Sequence, residues 1–510
     1  MKLVIVGGGT AGWLTALYVQ KVFSDHEITL IESEDIGILG AGEGTTPSIY
    51  SLLNFLDIHP ANLIQSVGAT IKNGIKFNGW AKDDSYFFHP FLSEHSLSND
   101  YNYNLTYHLE RDTHYSHMLG AESGHNLNDY SFISKLSDLD KVPFELKDQG
   151  YVPISNWAVH FDARRLASLL KSIGETRKIK RIEGKVSIIN NDDNGNITSL
   201  QLENGRQVQT DFIFDCTGFA RLFIGKHFEA EWKSHSDRLP AKKALPFFMP
   251  IQKSIPPYTE SISFDCGWMW KIPTQERYGC GYVFDSDFIS EEEAAQEIER
   301  KIGFEPIYPR QDKGAFKFNA GCYKEIWIKN CLALGLSSGF IEPLEATSIM
   351  QMTVVLDRFL SNPLNVTCNS KKIKDYFNKL YLDETENVVD FIYLHYVTTK
   401  KTTRFWSEFT KNNKMPDFVE YILEVIQHRP LLSEDFKGRN FFHAIGYSYV
   451  LIGNGLWTEE ILKKHTSYIR NIDEKRNTYF EILKRQFEQI HSFPHHNLIL
   501  DLFGAPIKND

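Results

Sequence analysis

A doubly wound α/β fold with a mainly helical second module is the architecture this 510-residue sequence predicts. Three observations carry that expectation. "KLVIV" (2 to 6) reads as a buried β-branched strand that turns through "GGGTAG" into "WLTALYVQKVF", a run with apolar residues at helical spacing. "EITLIES" supplies a second strand ending at Glu32, about twenty residues beyond the glycines. "TDFIFDCTGF" (210 to 219) and "NCLALGLSSGFIEPLEATSI" (330 to 349) are two further strands that run into glycine-rich turns.

Gly7, Gly9 and Gly12 satisfy G-x-G-x-x-G, in which glycine permits a sharp turn, close approach of the backbone to a pyrophosphate, and tight packing of helix on strand. Helix-start amides then hold the phosphates, and an acid at Glu32 would accept hydrogen bonds from a ribose. FAD and NAD share this fingerprint. The two downstream segments favour FAD by analogy with flavoproteins, in which such segments return to the cofactor. "NNDDNGNITSLQLENGRQVQTDFIF" alternates strand-like runs with asparagine and glycine turns, as a small inserted antiparallel sheet does. A discontinuous nucleotide module is therefore expected over 1 to 80, 150 to 290 and 310 to 350, with 81 to 149 and 351 to 510 forming the substrate-covering module.

Composition narrows the function. The chain is 42% hydrophobic and 13% aromatic, and its net charge of −10 is spread without a basic face, which excludes nucleic acid as a partner. Six cysteines without CxxC or CxxH spacing indicate reduced thiols rather than a disulfide frame or a zinc site. No apolar run reaches the roughly 18 residues of a membrane span, and the glycines at 7 to 9 argue against a signal peptide, so a cytoplasmic location is expected.

The motifs "GGGTAGW", "GATIKNGIKFNGW", "HFDA" (160 to 163), "DCTGF", W-x-W-x-I-P (Trp268, Trp270, Ile272, Pro273) and "GFIEPLEATSI" occur in this order along nearly the whole chain. In them the sequence resembles the flavin-dependent halogenases of the tryptophan halogenase type. The resemblance implies a Rossmann-type, flavin monooxygenase-like module. It also implies a reaction in which reduced FAD and O2 convert a halide ion to hypohalous acid, which travels to a lysine and then halogenates an electron-rich arene. FAD contacts at Gly7, Gly9, Thr10, Ala11, Gly12, Glu32, Glu43, Val186, Leu336 and Ile349 are implied with it. A separate flavin reductase is the implied source of reduced FAD, and a homodimer is admitted. Flavin-dependent aromatic monooxygenase and non-catalytic flavin scaffold are the competing readings.

In "ATIKNGIKFNGW" strand alternation puts Lys72 and Lys76 on one face and does not choose between them; the resemblance places the catalytic lysine at Lys72. Lysine suits that role because its amine is a nucleophile when neutral and a compact donor when charged. Pro343 marks the expected first turn of a helix, flanked by Glu342 and Glu345. The resemblance gives Glu345 the second catalytic role, a carboxylate that stabilises the cationic intermediate and accepts the departing ring proton. Amides of Thr347 and Ser348 in the same turn suit a halide ion. Where the family often has serine, this chain has Ala346.

"YFFHPF" resembles the stretch whose His and Phe enclose the substrate ring, pointing to His89 and Phe91, with Phe442 on the opposite wall. Asn440, Phe441 and Phe442 depart from the Asn-Phe-Trp of free-tryptophan enzymes, and Lys437 stands near the position of an amino-group clamp, so varied indoles or phenols are expected rather than free tryptophan. Strand alternation sets Trp268 and Trp270 on one face, and the resemblance places that pair beside the passage from the flavin. "HSFPHH" (491 to 496) reads as a polar loop without metal-ligand spacing. Residues 457 to 492 read as one or two amphipathic helices.

Overall fold

The computed structural model describes residues 1–37, 40, 42–82, 84–91, 131–148, 150–309, 314–439, 441–467 and 471–504. Two compact units are distinguished. The first comprises Met1–Ala69, Phe161–Ser236 and Asn319–Thr385; the second comprises Thr70–His160, Asp237–Phe318 and Glu386–Asp510.

The first unit is built on a six-stranded sheet. Its order is Lys180–Glu183, Glu27–Glu32, Lys2–Val6, Phe212–Asp215, Cys331–Ala333 and Trp327–Ile328. All but the last pairing are parallel. Lys2–Val6 lies between Glu27–Glu32, the strand that follows it in sequence, and the distant Phe212–Asp215, which makes its carboxyl end the switch point where doubly wound sheets bind ligands. The central strands bury Leu3, Val4, Ile5, Phe212, Ile213 and Phe214, and helix Thr10–Val22 packs on them with Trp13, Leu14 and Leu17 among its buried residues. The expected small insert is present as three antiparallel strands, Val186–Asn191, Ile197–Leu202 and Gln207–Gln209.

The second unit carries a seven-stranded sheet in which Lys243–Pro250, Arg277–Phe284, Gly267–Pro273 and Thr259–Phe264 are antiparallel neighbours. Gly74–Asn78 then pairs parallel with Thr259–Phe264 and antiparallel with Tyr86–Pro90. One face packs Leu245, Phe247, Met269, Tyr278, Tyr282 and Phe284 into a core with Ala294 and Ile298 of helix Glu291–Ile302.

Three local expectations are corrected. Residues 70 to 78 are not one strand: Thr70–Lys72 and Gly74–Asn78 are separate, because Asn73 turns its N–H to the Pro257 carbonyl (2.7 Å) and its side-chain amide to Ser137 and the Lys141 carbonyl (both 3.1 Å). Lys72 and Lys76 therefore do not share a strand face. The helix expected at Pro343 begins at Ser348. Ala346, at φ +54°, is left-handed and interrupts any right-handed helix through it, while its N–H closes a turn on the Pro343 carbonyl at 3.0 Å. Finally, "HSFPHH" is not a polar loop, since His496 starts the helix His496–Leu502 and is wholly buried.

Candidate active site

In the first unit the glycine loop lies at the carboxyl end of Lys2–Val6. Gly7 has φ +123°, and a Cβ there would stand 2.1 Å from the Cys216 carbonyl oxygen; one on Gly8 would overlap the Glu32 carboxylate at 1.6 Å. Those two glycines make room for protein atoms, whereas a Cβ on Gly9 would meet nothing within 4 Å, the open side from which a pyrophosphate would approach. Gly9 caps Thr10–Val22 without a side-chain bond, leaving the first amides of that helix to a ligand. Thr10 adds a buried hydroxyl with no partner among the described residues. Ala11 lies close behind, its methyl 3.1 Å from where a Cβ on Gly335 would sit, and Gly12 packs against the Gly7 carbonyl.

Glu32 is held by Arg181 and, at 3.7 Å, by Lys171. Asp215 anchors the next turn by accepting from the amides of Thr217, Phe223 and Ile224 at 3.0 to 3.1 Å. Val186 begins the small insert, Leu336 lies in the short turn Gly335–Ser337, and Ile349 in the first turn of Ser348–Leu360. These bare amides, the orphan hydroxyl and the acid fit a dinucleotide such as FAD.

Glu43, largely surrounded by protein, has its carboxyl pushed up to about 7, first by burial and then by the charge of Asp162. It stays neutral in the native state where an unfolded carboxyl, at 4.5, ionises, so rising pH favours unfolding across that interval. Relative to wild type, Glu43→Gln should gain stability from pH 4.5 upward and level off above about pH 7, by up to about 3 kcal/mol. Unfolding curves of the two apoproteins across that range check it.

The turn 342 to 347 presents buried Glu342 and Glu345 and leads into Ser348–Leu360. The Thr347 hydroxyl is buried without a partner among the described residues. Gly335, Ser338, Ser348, Met352, Tyr381 and Thr385 help enclose a cavity of about 20 Å³, room for one water-sized occupant.

In the second unit Lys72 is 0% exposed, and its Nζ stands 5.2 Å from the centre of the Phe91 ring. Lys76 differs: it is paired with Asp138 at 2.9 Å and lies 3.9 Å over Tyr86. Burial and pairing thus separate two lysines that sequence alternation left equivalent.

His160, opposite Thr70 on the neighbouring strand, is also wholly buried. The Thr70 hydroxyl donates to the Pro273 carbonyl (2.7 Å), so it accepts from His160 Nδ1 (3.0 Å), and His160 Nε2 accepts from Thr259 (2.9 Å). The imidazole is neutral, its pKa held well below the usual value by burial, then by the nearby charge of Lys72 and by His496.

His89 packs edge-on to Phe391 (5.8 Å) and tilted against Tyr449 (5.9 Å). Phe442 stacks on Phe391 at 3.9 Å and 20°. That stack is set by Asn387, whose Oδ1 accepts the amides of Phe441 and Phe442 at 3.0 and 3.1 Å. Sequence reasoning missed both Asn387 and Phe391, which sit within the ordinary-looking helix Lys371–Thr398. Lys437 is exposed, and Asn440 lies outside the described residues.

Trp268 and Trp270 share one face of Gly267–Pro273, their rings 6.2 Å apart. Trp268 Nε1 donates to the Tyr396 hydroxyl at 3.0 Å, whereas Trp270 Nε1 is buried with no partner among the described residues. Gly281, opposite Trp270 on the next strand, makes room for that indole: a Cβ there would lie 2.2 Å from the ring. Gly281→Ala should therefore displace Trp270 and destabilise the protein by about 1–3 kcal/mol, readable in tryptophan fluorescence and thermal unfolding.

The family model for tryptophan halogenases matches residues 2–467. Tryptophan 6-halogenase SttH of Streptomyces toxytricini is 29% identical over 477 residues, covering 89% of each chain. Among solved structures, BrvH, a flavin-dependent halogenase from Brevundimonas sp. BAL3, superposes with a TM-score of 0.84 at 27% identity over 98% of this chain and 99% of that one. Xcc4156, a flavin-dependent halogenase from Xanthomonas campestris, gives 0.83 at 27% identity over 100% and 99%. This chain belongs to the tryptophan halogenase family of flavin-dependent enzymes.

Proposed function

We propose that the protein uses reduced FAD, O2 and a halide ion to halogenate an electron-rich arene of the indole or phenol type, with Lys72 delivering the halogen and Glu345 assisting its addition. The observation that carries this reading is the complete burial of Lys72 in a chain matched by the family model over residues 2–467. Reduced FAD, when bound, supplies the electrons for oxidation of halide by O2. The loop Gly7–Gly12, Glu32, Glu43, Val186, Leu336 and Ile349 hold and orient that cofactor. Amides of Thr347 and Ser348, at a helix start, hold the halide.

The Lys72 amine either forms a haloamine with hypohalous acid, releasing water, or holds the intact acid by hydrogen bonding, and the electrophilic halogen passes from there to a ring carbon. Glu345 stabilises the resulting cation and accepts the ring proton, so that arene and hypohalous acid become haloarene and water. Trp268 and Trp270 wall the passage, and His89, Phe91 and Phe442 enclose the arene. The Phe442–Phe391 stack and the exposed cation of Lys437 support simple indoles or phenols over free tryptophan, whose ammonium Lys437 would repel. A separate reductase supplies reduced FAD, and the working form is cytoplasmic, with a homodimer as the assembly to be tested by light scattering. No helix among the described residues is long and apolar enough to cross a membrane.

Mass spectrometry of products tests the reading. The protein is supplied with FAD, a flavin reductase, NADH and an arene panel that includes free tryptophan, with chloride, bromide or iodide in turn and catalase to remove peroxide. A halogen mass shift is the expected result, with indoles or phenols turned over faster than free tryptophan. Oxygen added to the arene without halide would identify an aromatic monooxygenase, and faster turnover of free tryptophan would overturn the substrate class.

A further inference from the structure

We propose that His496 is a positioning residue for Lys72, clamping the open edge of the strand that carries it from a point 425 residues later in the chain. The inference rests on Lys72 being the halogen carrier.

Thr70–Lys72 is only three residues long and, among the described residues, pairs on one edge, antiparallel to Ala158–Phe161, with Thr70 opposite His160 and Lys72 opposite Ala158. Ile71 points its N–H to the other edge, where an unpaired amide would need a partner. That partner is His496 Nε2, at 2.9 Å. Because Nε2 accepts, the proton is on Nδ1, which donates to the Ile255 carbonyl at 2.9 Å. One neutral imidazole therefore joins the lysine strand to the segment before Thr259–Phe264. The next residue adds to the bonds with that segment, Asn497 accepting from the Ile255 amide (3.1 Å) and donating to the Lys253 carbonyl (2.9 Å).

His496 is itself fixed. Its backbone N–H donates to the Asp140 carbonyl (2.8 Å), and the Val142 amide donates to the Pro494 carbonyl (3.2 Å). Asn73, immediately after Lys72, is bonded to the same 137–141 segment through its side chain. The ring is fully buried, which holds it at about 4 and keeps it in the neutral form both bonds require.

The consequence for chemistry follows from reach. Lysine carries its amine on four flexible carbons, so the position of Nζ depends on how firmly the short strand is held. Displacing a reacting group by about 1 Å costs on the order of 100-fold. Loosening the Ile71 edge should therefore lower transfer to the arene while leaving hypohalous acid production intact.

The test compares wild type, His496→Leu, His496→Gln and Lys72→Ala in the coupled assay with bromide and indole, or the panel arene turned over fastest. Bromoarene is measured beside hypobromous acid captured by a dimedone trap, together with the rate of flavin oxidation. Glutamine keeps an acceptor and a donor at amide spacing, whereas leucine keeps only bulk. The expected result is a fall of about 10- to 100-fold in bromoarene per trapped hypobromous acid for leucine, and recovery to within about threefold of wild type for glutamine. If leucine does not fold, His496→Asn carries the same readout, because its amide can donate to Ile255 and is too short to reach Ile71.

An unchanged ratio in the leucine variant overturns the proposal. So does a proportional loss of product, trapped acid and thermal stability in the leucine and glutamine variants alike, which marks a merely structural histidine. Should Lys72→Ala retain full bromoarene formation, the Lys72 reading itself fails; should it abolish product while the leucine variant matches wild type, only the His496 inference fails.

Discussion

Lys72→Met is expected to lower arene halogenation by about 10²- to 10⁴-fold without loss of fold. Methionine fills nearly the same volume and removes the amine. Lys72 is completely buried, so the exchange also removes an ionisable group from the interior, and thermal unfolding measured beside the assay separates loss of chemistry from loss of fold. The packing against Phe91 survives, since a thioether contacts an aromatic ring as an ammonium does. Flavin oxidation and halide consumption should continue at the wild-type rate, with hypohalous acid accumulating in a dimedone trap instead of in product. Stopped-flow oxidation of reduced flavin beside product quantification separates the two. Loss of flavin oxidation in step with product would place Lys72 upstream of halide oxidation and refute its role as carrier.

Glu345→Gln is expected to lower halogenation by about 10²- to 10³-fold, with an effect that depends on the arene. Glutamine keeps the shape and the hydrogen-bonding capacity of this buried side chain and removes its charge and basicity. A strongly activated ring such as a phenol stabilises its own cation and loses less, whereas unsubstituted indole loses more. Relative turnover of phenol and indole by variant and wild type measures this; a uniform loss on both arenes would show that Glu345 holds the turn rather than the developing charge. The turn is strained at Ala346, in the left-handed region at φ +54°, so its conformation depends on the surrounding packing.

Much of the nucleotide end was legible in sequence because its requirements are local. A strand, a glycine turn and a helix start lie within 22 residues, and the absence of side chains at Gly7 and Gly8 is a direct consequence of the atoms that approach them. The alternation of Trp268 and Trp270 was legible for the same reason, since a strand's period of two is a backbone property. Alternation failed at Asn73, where bonds to Pro257, Ser137 and Lys141 outweigh continuation of the strand. Proline at position 343 suggested a helix start five residues too early, because nothing in a one-dimensional pattern announces that Ala346 adopts a left-handed conformation.

The doubly wound module, the glycine cradle and the family were readable from the sequence because they are written in short contiguous motifs, whereas the candidate roles of Lys72 and Glu345 came from the family resemblance and not from local physics. Long-range contacts are what show that Lys72 is buried while Lys76 is ion-paired, that Trp268 is bonded while the Trp270 N–H has no partner among the described residues, and that His160 bonds Thr70, His496 bonds Ile71 and Asn387 bonds the amides of Phe441 and Phe442. Burial and pairing are properties of groups that meet across tens to hundreds of residues. Ile71 and His496, separated by 425, carry no trace of one another until the chain has folded.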